Sequence, residues 1–329
     1  MLTRRRVFGL GAASLIADFL PQSAFGQSKY PERSIKLVIP FAPGGITDTV
    51  GRLWADKMKS SLGQVYIENQ AGAGGLVGGA TVARAQPDGY TLLLGTVATH
   101  LHIPSASGAA PYNAATDLAP ISILVTSSLA VAINPGLPAQ TLTELIAYAK
   151  ANPGKLSCGS TGAGSMSHLA GELFKSLAGT ADIVTAPYKG AGPALSDVIS
   201  GHIAMTVSNV TGHMLDLHRS GKIRMLAVTS PARLSAAPDI PTAVESGLPG
   251  MIAQSFAGLF APAGTPKSIV EQISAATRVA MADDELRQKL IASGFEPYSD
   301  SSPESAGRFV EEEIGRLTPL IKAIGLKLG

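Results

Sequence analysis

The sequence predicts an α/β protein of two lobes that close on each other like a clamshell, with mostly parallel sheets flanked by helices and a ligand cleft between them. Three observations carry this. Strand, glycine loop and helix follow one another repeatedly along the chain. The pattern forms two series, joined by an apolar crossing at 121–133 and a returning strand at 255–260. At 329 residues, 45% of them hydrophobic, the chain is long enough for one or two domains with an ample core.

Taken in order, Ile35-Lys36-Leu37-Val38-Ile39 reads as a buried strand running into Pro40-Phe41-Ala42-Pro43-Gly44-Gly45. From Thr47 to Leu62, apolar Val50, Leu53, Trp54 and Met58 recur at helical spacing, so the glycines stand at a helix N-terminus. Val65 to Glu68 gives a second strand, Ala71 to Gly79 a second glycine loop, and Tyr90 to Leu94 a third strand ending at Gly95-Thr96. After the crossing, Thr141 with Glu144 three residues on makes a capping box for a helix ending near Asn152-Pro153-Gly154. The second series continues through Leu156-Ser157-Cys158, the loop 159–165, a helix from 166 to 177, strands at 183–186, 203–207 and 225–229, and a turn-rich run at 238–250. From Pro266 onward the chain reads as mostly helical, with Asp283 and Ser302-Pro303-Glu304 at helix starts.

Composition excludes several classes of function. With 26 Lys+Arg against 24 Asp+Glu, and no basic block beyond the first six residues, the chain lacks the footprint of a nucleic-acid binder. No window past the N-terminus holds the ~18 uninterrupted apolar residues of a spanning helix. Residues 1–26 read as an export signal: Arg4-Arg5-Arg6, an apolar run to Ala17, then Ala24-Phe25-Gly26. Arg5-Arg6 ahead of Val7-Phe8 fits a twin-arginine route, and an ordinary Sec route stands beside it. Its removal takes away three Arg and one Asp, leaving a formally neutral mature chain expected to be free in the periplasm. Cys158, the single cysteine, has no internal disulfide partner and reads as a small packed residue.

Four glycine-rich loops, at 44–45, 72–79, 159–164 and 190–192, each follow a strand and open a helix. Free backbone N–H groups and the positive end of the helix dipole make such junctions anion sites without any cationic side chain. The plainer reading is that glycine permits a tight turn. Nucleotide motifs fail: the sixth position from Gly72 is Val77 and from Gly162 is Ser167, and Gly154-Lys155 and Gly221-Lys222 lead into Leu156 and Ile223. His100 and His102 share strand-like spacing and His213 and His218 lie five apart, but nothing completes a metal-ligand set. Neither a metal nor a cofactor is expected. Ser165 and His168 could sit one helical turn apart as part of a hydrolase, although Ser165 reads more plainly as an N-cap.

Pro40-Phe41-Ala42-Pro43-Gly44-Gly45-Ile46-Thr47-Asp48 resembles the loop of the Bug-type periplasmic receptors, the solute-binding family of tripartite tricarboxylate transporters. Further similar segments follow in order at 68–75, 87–93, 186–190, 226–230 and 259–266. The resemblance implies a type II periplasmic binding fold that holds a small organic carboxylate without catalysis, as a monomer, and delivers it to membrane transporter subunits. Reporting the ligand to a membrane sensor is the alternative. It implies lobe one at 27–128 and 250–329 and lobe two at 129–249. It places ligand contacts on Phe41, Gly44, Gly45, Thr47, Asp48, Thr96 and Thr99 of lobe one, and on Ser160, Thr161, Ser165, His168 and Asn209 of lobe two. In relatives that bind amino acids the residue at Asp48 takes the ammonium group; the other reading is a carboxylate stabilising its own helix. The chain departs from the family at Ser208-Asn209, where Asp-Asn is common, and at His102-Ile103-Pro104.

Overall fold

The computed structural model describes residues 30–101, 111–162, 165–188 and 190–323. The export signal at 1–26, the wall at 102–110 and part of the glycine loop at 163–164 lie outside the described residues. The branched apolar run Ile35–Ile39 forms β1, central and buried, and Ile46–Met58 forms α1, which packs Val50, Trp54 and Met58 against it. Val65–Asn69 (β2), a 3₁₀ turn at Ala73–Gly75, Leu76–Ala83 (α2), Thr91–Thr96 (β3), Val97–Leu101 (α3) and Ala114–Asp117 (α4) complete the first series. His100 thus lies on a helix, not in the strand its spacing with His102 suggested.

Leu118–Ile133 is one strand of 16 residues, β4. The second series is Leu142–Ala151 (α5), Ser157–Ser160 (β5), Met166–Ala178 (α6), Val184–Pro187 (β6), Ala191–Ser200 (α7), Met205–Asn209 (β7), Gly212–Arg219 (α8) and Arg224–Val228 (β8). The chain returns through Gln254–Pro262 (β9) and ends with Lys267–Met281 (α9), Asp284–Ala292 (α10), Glu296–Pro297 (β10) and Pro303–Ala323 (α11). The capping box at α5 forms with a one-residue offset. Thr141 Oγ1 accepts from Glu144 N at 3.2 Å, while Glu144 Oε2 accepts from Gln140 N, the residue before the cap, at 2.6 Å.

The strand order is β2-β1-β3-β9-β4-β7-β5-β6, with β8 and β10 adding to β4. β1 runs parallel to β2 and β3, and β5 parallel to β6 and β7. The expectation of mostly parallel sheets therefore describes the outer strands of each half. Their inner edges are antiparallel, because β4 and β9 carry the chain out of one half and back into it. Residues 118–128 of β4 pair with β9, and 129–133 pair with β7 and β8, so one strand belongs to both lobes.

Each half-sheet buries an apolar core on both faces. In the first, α1, α9 and α10 cover one face and α2, α3 and α11 the other. In the second, α5 and α6 cover one face and α7 and α8 the other. Trp54 of α1 is fully buried and donates its indole N–H to Thr277 Oγ1 of α9 at 3.2 Å, so truncating it to Ala would cost about 3–5 kcal/mol. The lobes also touch outside the strands. Leu169 of α6 packs in the cluster around α11, and the Glu296 carboxylate of β10 accepts from Ser235 N and Oγ at 2.7 and 2.8 Å. Cys158 is buried in the second core, where desolvation pushes its thiol up to about 12.

Candidate functional site

The site begins where β1 stops. Gly44 takes φ +83°, a left-handed turn that favours glycine, and Gly45 then caps α1 without any side-chain hydrogen bond. The first N–H groups of α1 are therefore not capped by a side chain, and both glycines are exposed. Thr47 and Asp48 are buried in the first turn behind them.

The Asp48 carboxylate, 4% exposed, holds this loop together. Its Oδ2 accepts from Gly44 N and Arg52 Nε, both at 2.9 Å; its Oδ1 accepts from Arg52 Nη2 and Asn69 Nδ2, both at 3.0 Å. Asn69 also donates to the Phe41 carbonyl at 3.1 Å. Hydrogen bonds from Arg52 hold the Asp48 carboxyl at about 2, with Gly44 and Asn69 assisting against the opposing effect of burial. Four donors occupy the two oxygens, which spends their capacity within the protein.

Phe41, Gly75 and Thr99 meet. Gly75 has φ +100°, and a Cβ there would lie 3.1 Å from Thr99 Cγ2 and 3.2 Å from Phe41 Cζ, so the backbone fits only as glycine. Thr99 spends its hydroxyl on the turn from β3 into α3, accepting from Thr96 N at 2.9 Å and donating to Thr96 O at 2.8 Å. Thr96 is different. It ends β3, is 6% exposed, and its Oγ1 has no hydrogen-bond partner among the described residues.

Lobe two supplies a matching residue. Ser160 ends β5, is 2% exposed, and its Oγ also lacks a partner among the described residues. Such buried hydroxyls are costly, and each can donate to an anion. The other described hydroxyls in this state, on Thr180 and Ser274, lie after α6 and within α9, away from the strand ends. Next to Ser160, Thr161 N donates to Ser167 Oγ at 3.3 Å, and Ser167 donates in turn to Val207 O, tying the loop to β7.

Ser165 is the N-cap of α6: its Oγ accepts from His168 N at 3.2 Å and donates to Gly162 O at 2.7 Å. The His168 ring turns along its own helix, with Nε2 3.9 Å from Glu172 Oε1. Glu172 Oε1 also accepts from Lys175 Nζ at 2.9 Å and Thr185 Oγ1 at 2.6 Å. Ser165 and His168 thus meet through a capping bond rather than through the imidazole. Asn209 ends β7 and donates from Nδ2 to Ser127 Oγ at 3.2 Å. Ser208 is buried on the other face and bonds Thr206 Oγ1 at 2.7 Å.

These residues gather at the carboxyl ends of β1, β3, β5 and β7, where open α/β sheets bind ligands. Of the helices opened by the four glycine loops, α1, α2 and α7 start on glycine without a side-chain cap, whereas α6 is capped by Ser165. Sequence reading missed Arg52, Asn69 and Ser127. The Asp48 to Arg52 spacing of one helical turn was a usable signal, whereas the other two contacts depend on strand neighbours that only the fold supplies. Among the described residues no three His, Cys, Asp or Glu side chains are placed to hold a metal, and no helix is long and apolar enough to cross a membrane.

Bordetella pertussis BugT is 36% identical over 301 residues, covering 91% of each chain. The structure of the periplasmic binding protein BugD superposes with a TM-score of 0.75 at 34% identity, over 91% of this chain and 99% of that one. Rpa4515 of R. palustris, solved with adipate, gives 0.79 at 34% identity over 90% and 99%. These place the fold among the two-lobed periplasmic binding proteins. Residues 50–326 match the TctC profile, described as tripartite tricarboxylate transporter family receptor, and the chain belongs to that family.

Proposed function

We propose that the cleft captures a small organic carboxylate in the periplasm and presents it to the membrane subunits of a tripartite tricarboxylate-type transporter. The observation that carries this reading is the pair of buried hydroxyls without partners among the described residues, Thr96 Oγ1 and Ser160 Oγ, at strand ends of the two lobes. A carboxylate between them would accept both hydrogens and add the uncapped N–H groups at Gly45 and α1. Phe41, Gly44, Gly45, Thr47 and Thr99 then form the wall of lobe one, and Thr161, Ser165, His168 and Asn209 that of lobe two. Asp48 acts as the clamp of the glycine loop, which leaves no carboxylate there for an ammonium group and favours acids over amino acids. Adipate in Rpa4515 supports the ligand class.

The same reading puts lobe one at 27–128 and 250–329 and lobe two at 129–249, with a monomer as the working unit. Residues 1–26 direct export by a twin-arginine or Sec route. Calorimetry on the mature protein with adipate, succinate, malate, citrate and the amino acids glutamate and aspartate tests the proposal. Saturable binding of at least one of the four acids, tighter than either amino acid, is expected. Binding of amino acids alone, or of none of the six, would overturn it.

A further inference from the structure

We propose that the two strands joining the lobes carry ligand contacts of their own, Ser127 on β4 and Ser255 on β9, which form the floor of the cleft. This rests on the carboxylate reading above and extends it to residues at the hinge.

The argument is one of register. Cross-strand partners share a face, and alternate residues of a strand return to it. Thr96 pairs with Ala257, Ala257 with Val125, and Ser127 with Ser255, so Thr96, Ser255 and Ser127 point to one face. Asn209 pairs with Leu129, and its hydrogen bond to Ser127 confirms that the two side chains share that face. Cys158 pairs with Met205, which puts Ser160 on the same face as Asn209. A row of short polar side chains therefore crosses the waist between two apolar cores, one containing Leu94 and Val125, the other Cys158 and Val207.

The opposite face at the waist is also polar, but its groups are spent. Ser128 accepts from Thr229 N and donates to Leu129 O, Ser208 bonds Thr206, and Gln254 donates to the buried Glu313 of α11. On the first face Thr96 and Ser160 have no partner, and Ser127 accepts from Asn209 while its own hydrogen goes to no described group. Polar side chains with unspent donors, set where the alternation calls for apolar ones, suit an anion resting on β4 and β9. Because those strands must bend when the lobes move, a ligand held there couples its binding directly to closure.

The test compares wild type with Ser127→Ala, Ser255→Ala and Ser128→Ala, using whichever of adipate, succinate, malate or citrate binds wild type most tightly. Loss of a hydrogen bond to a charged group predicts a Kd raised about tenfold or more for Ser127→Ala and Ser255→Ala. Ser128→Ala, on the opposite face, should keep the wild-type Kd. Ser255 is half-buried and its side chain makes no hydrogen bond to any described residue, so its variant separates contact with the ligand from damage to the hinge. If Ser127→Ala and Ser255→Ala bind as wild type does, or Ser128→Ala weakens binding equally, the floor is overturned while the carboxylate reading stands. Wild type that binds none of the four acids overturns both.

Discussion

Arg52 grips Asp48 through Nε and Nη2, one helical turn along α1, and so fixes a carboxylate whose other bonds hold Gly44 and Asn69. The exposed guanidinium stabilises a buried group, and the buried group shapes a loop that itself faces solvent. In this way the orientation of the bare N-terminus of α1 is decided several residues away from it.

The first prediction concerns acid. The Asp48 carboxyl is held at about 2 in the folded chain, below its ordinary value of 3.8. Its stabilisation is therefore complete above the ordinary value and is lost as pH falls through the folded one. Asp48→Asn, which loses the charge and sets an amide against existing donors, should cost about 1–2 kcal/mol at neutral pH. Urea unfolding of both proteins at several pH values would show the gap shrinking below pH ~4. A gap independent of pH would contradict the assignment.

Removing a strand-end hydroxyl should have opposite effects on stability and binding. Ser160→Ala and Thr96→Val delete buried groups that have no partner, so the unliganded protein should melt no lower than wild type and gain up to about 1 kcal/mol. Carboxylate affinity should fall by about 1.5–3 kcal/mol, the value of a hydrogen bond to a charged group. Melting curves with and without ligand give both signs, and unchanged affinity in both variants would remove these hydroxyls from the site.

Two glycines of the same wall should behave differently. At Gly45 a Cβ would meet Ala42 O at an ordinary 3.7 Å, so Gly45→Val should fold normally and weaken ligand binding by about 1–3 kcal/mol by covering the helix start. Gly75→Ala instead forces a side chain into left-handed backbone against Phe41 and Thr99, and should lower stability by about 1–3 kcal/mol. Circular dichroism melts paired with calorimetry separate the two cases.

Most strands were legible because branched apolar runs such as Ile35–Ile39 announce themselves, and α1, α5 and α6 because their caps and helical spacing agree. α7 was legible only as the helix opened by the glycine loop at 190–192, and its first turn, Ala191-Gly192-Pro193, carries turn formers at positions where proline is well tolerated. The crossing read at 121–133 begins three residues earlier in β4, at Leu118, because Pro120 interrupts the strand pattern there. Strand direction leaves no mark on side-chain alternation, so the antiparallel placement of β9 had no sequence signal. In the site, the short motif with Gly44 and Gly45 was visible as a helix start. The partners of Asp48 and Asn209 come from strands distant in sequence, and no local spacing reveals them.

The position of β9 also bears on the order of assembly. Residues 254–262 insert between β3 and β4, which precede them by more than a hundred residues, so the first half-sheet stays split while most of the chain is being made. The second half-sheet draws all its strands from one continuous stretch and can close at once. A nascent chain of this protein therefore carries two open strand edges until nearly its last quarter has emerged. For a precursor that must cross a membrane, such late completion leaves an interval in which an export chaperone can hold it unfolded.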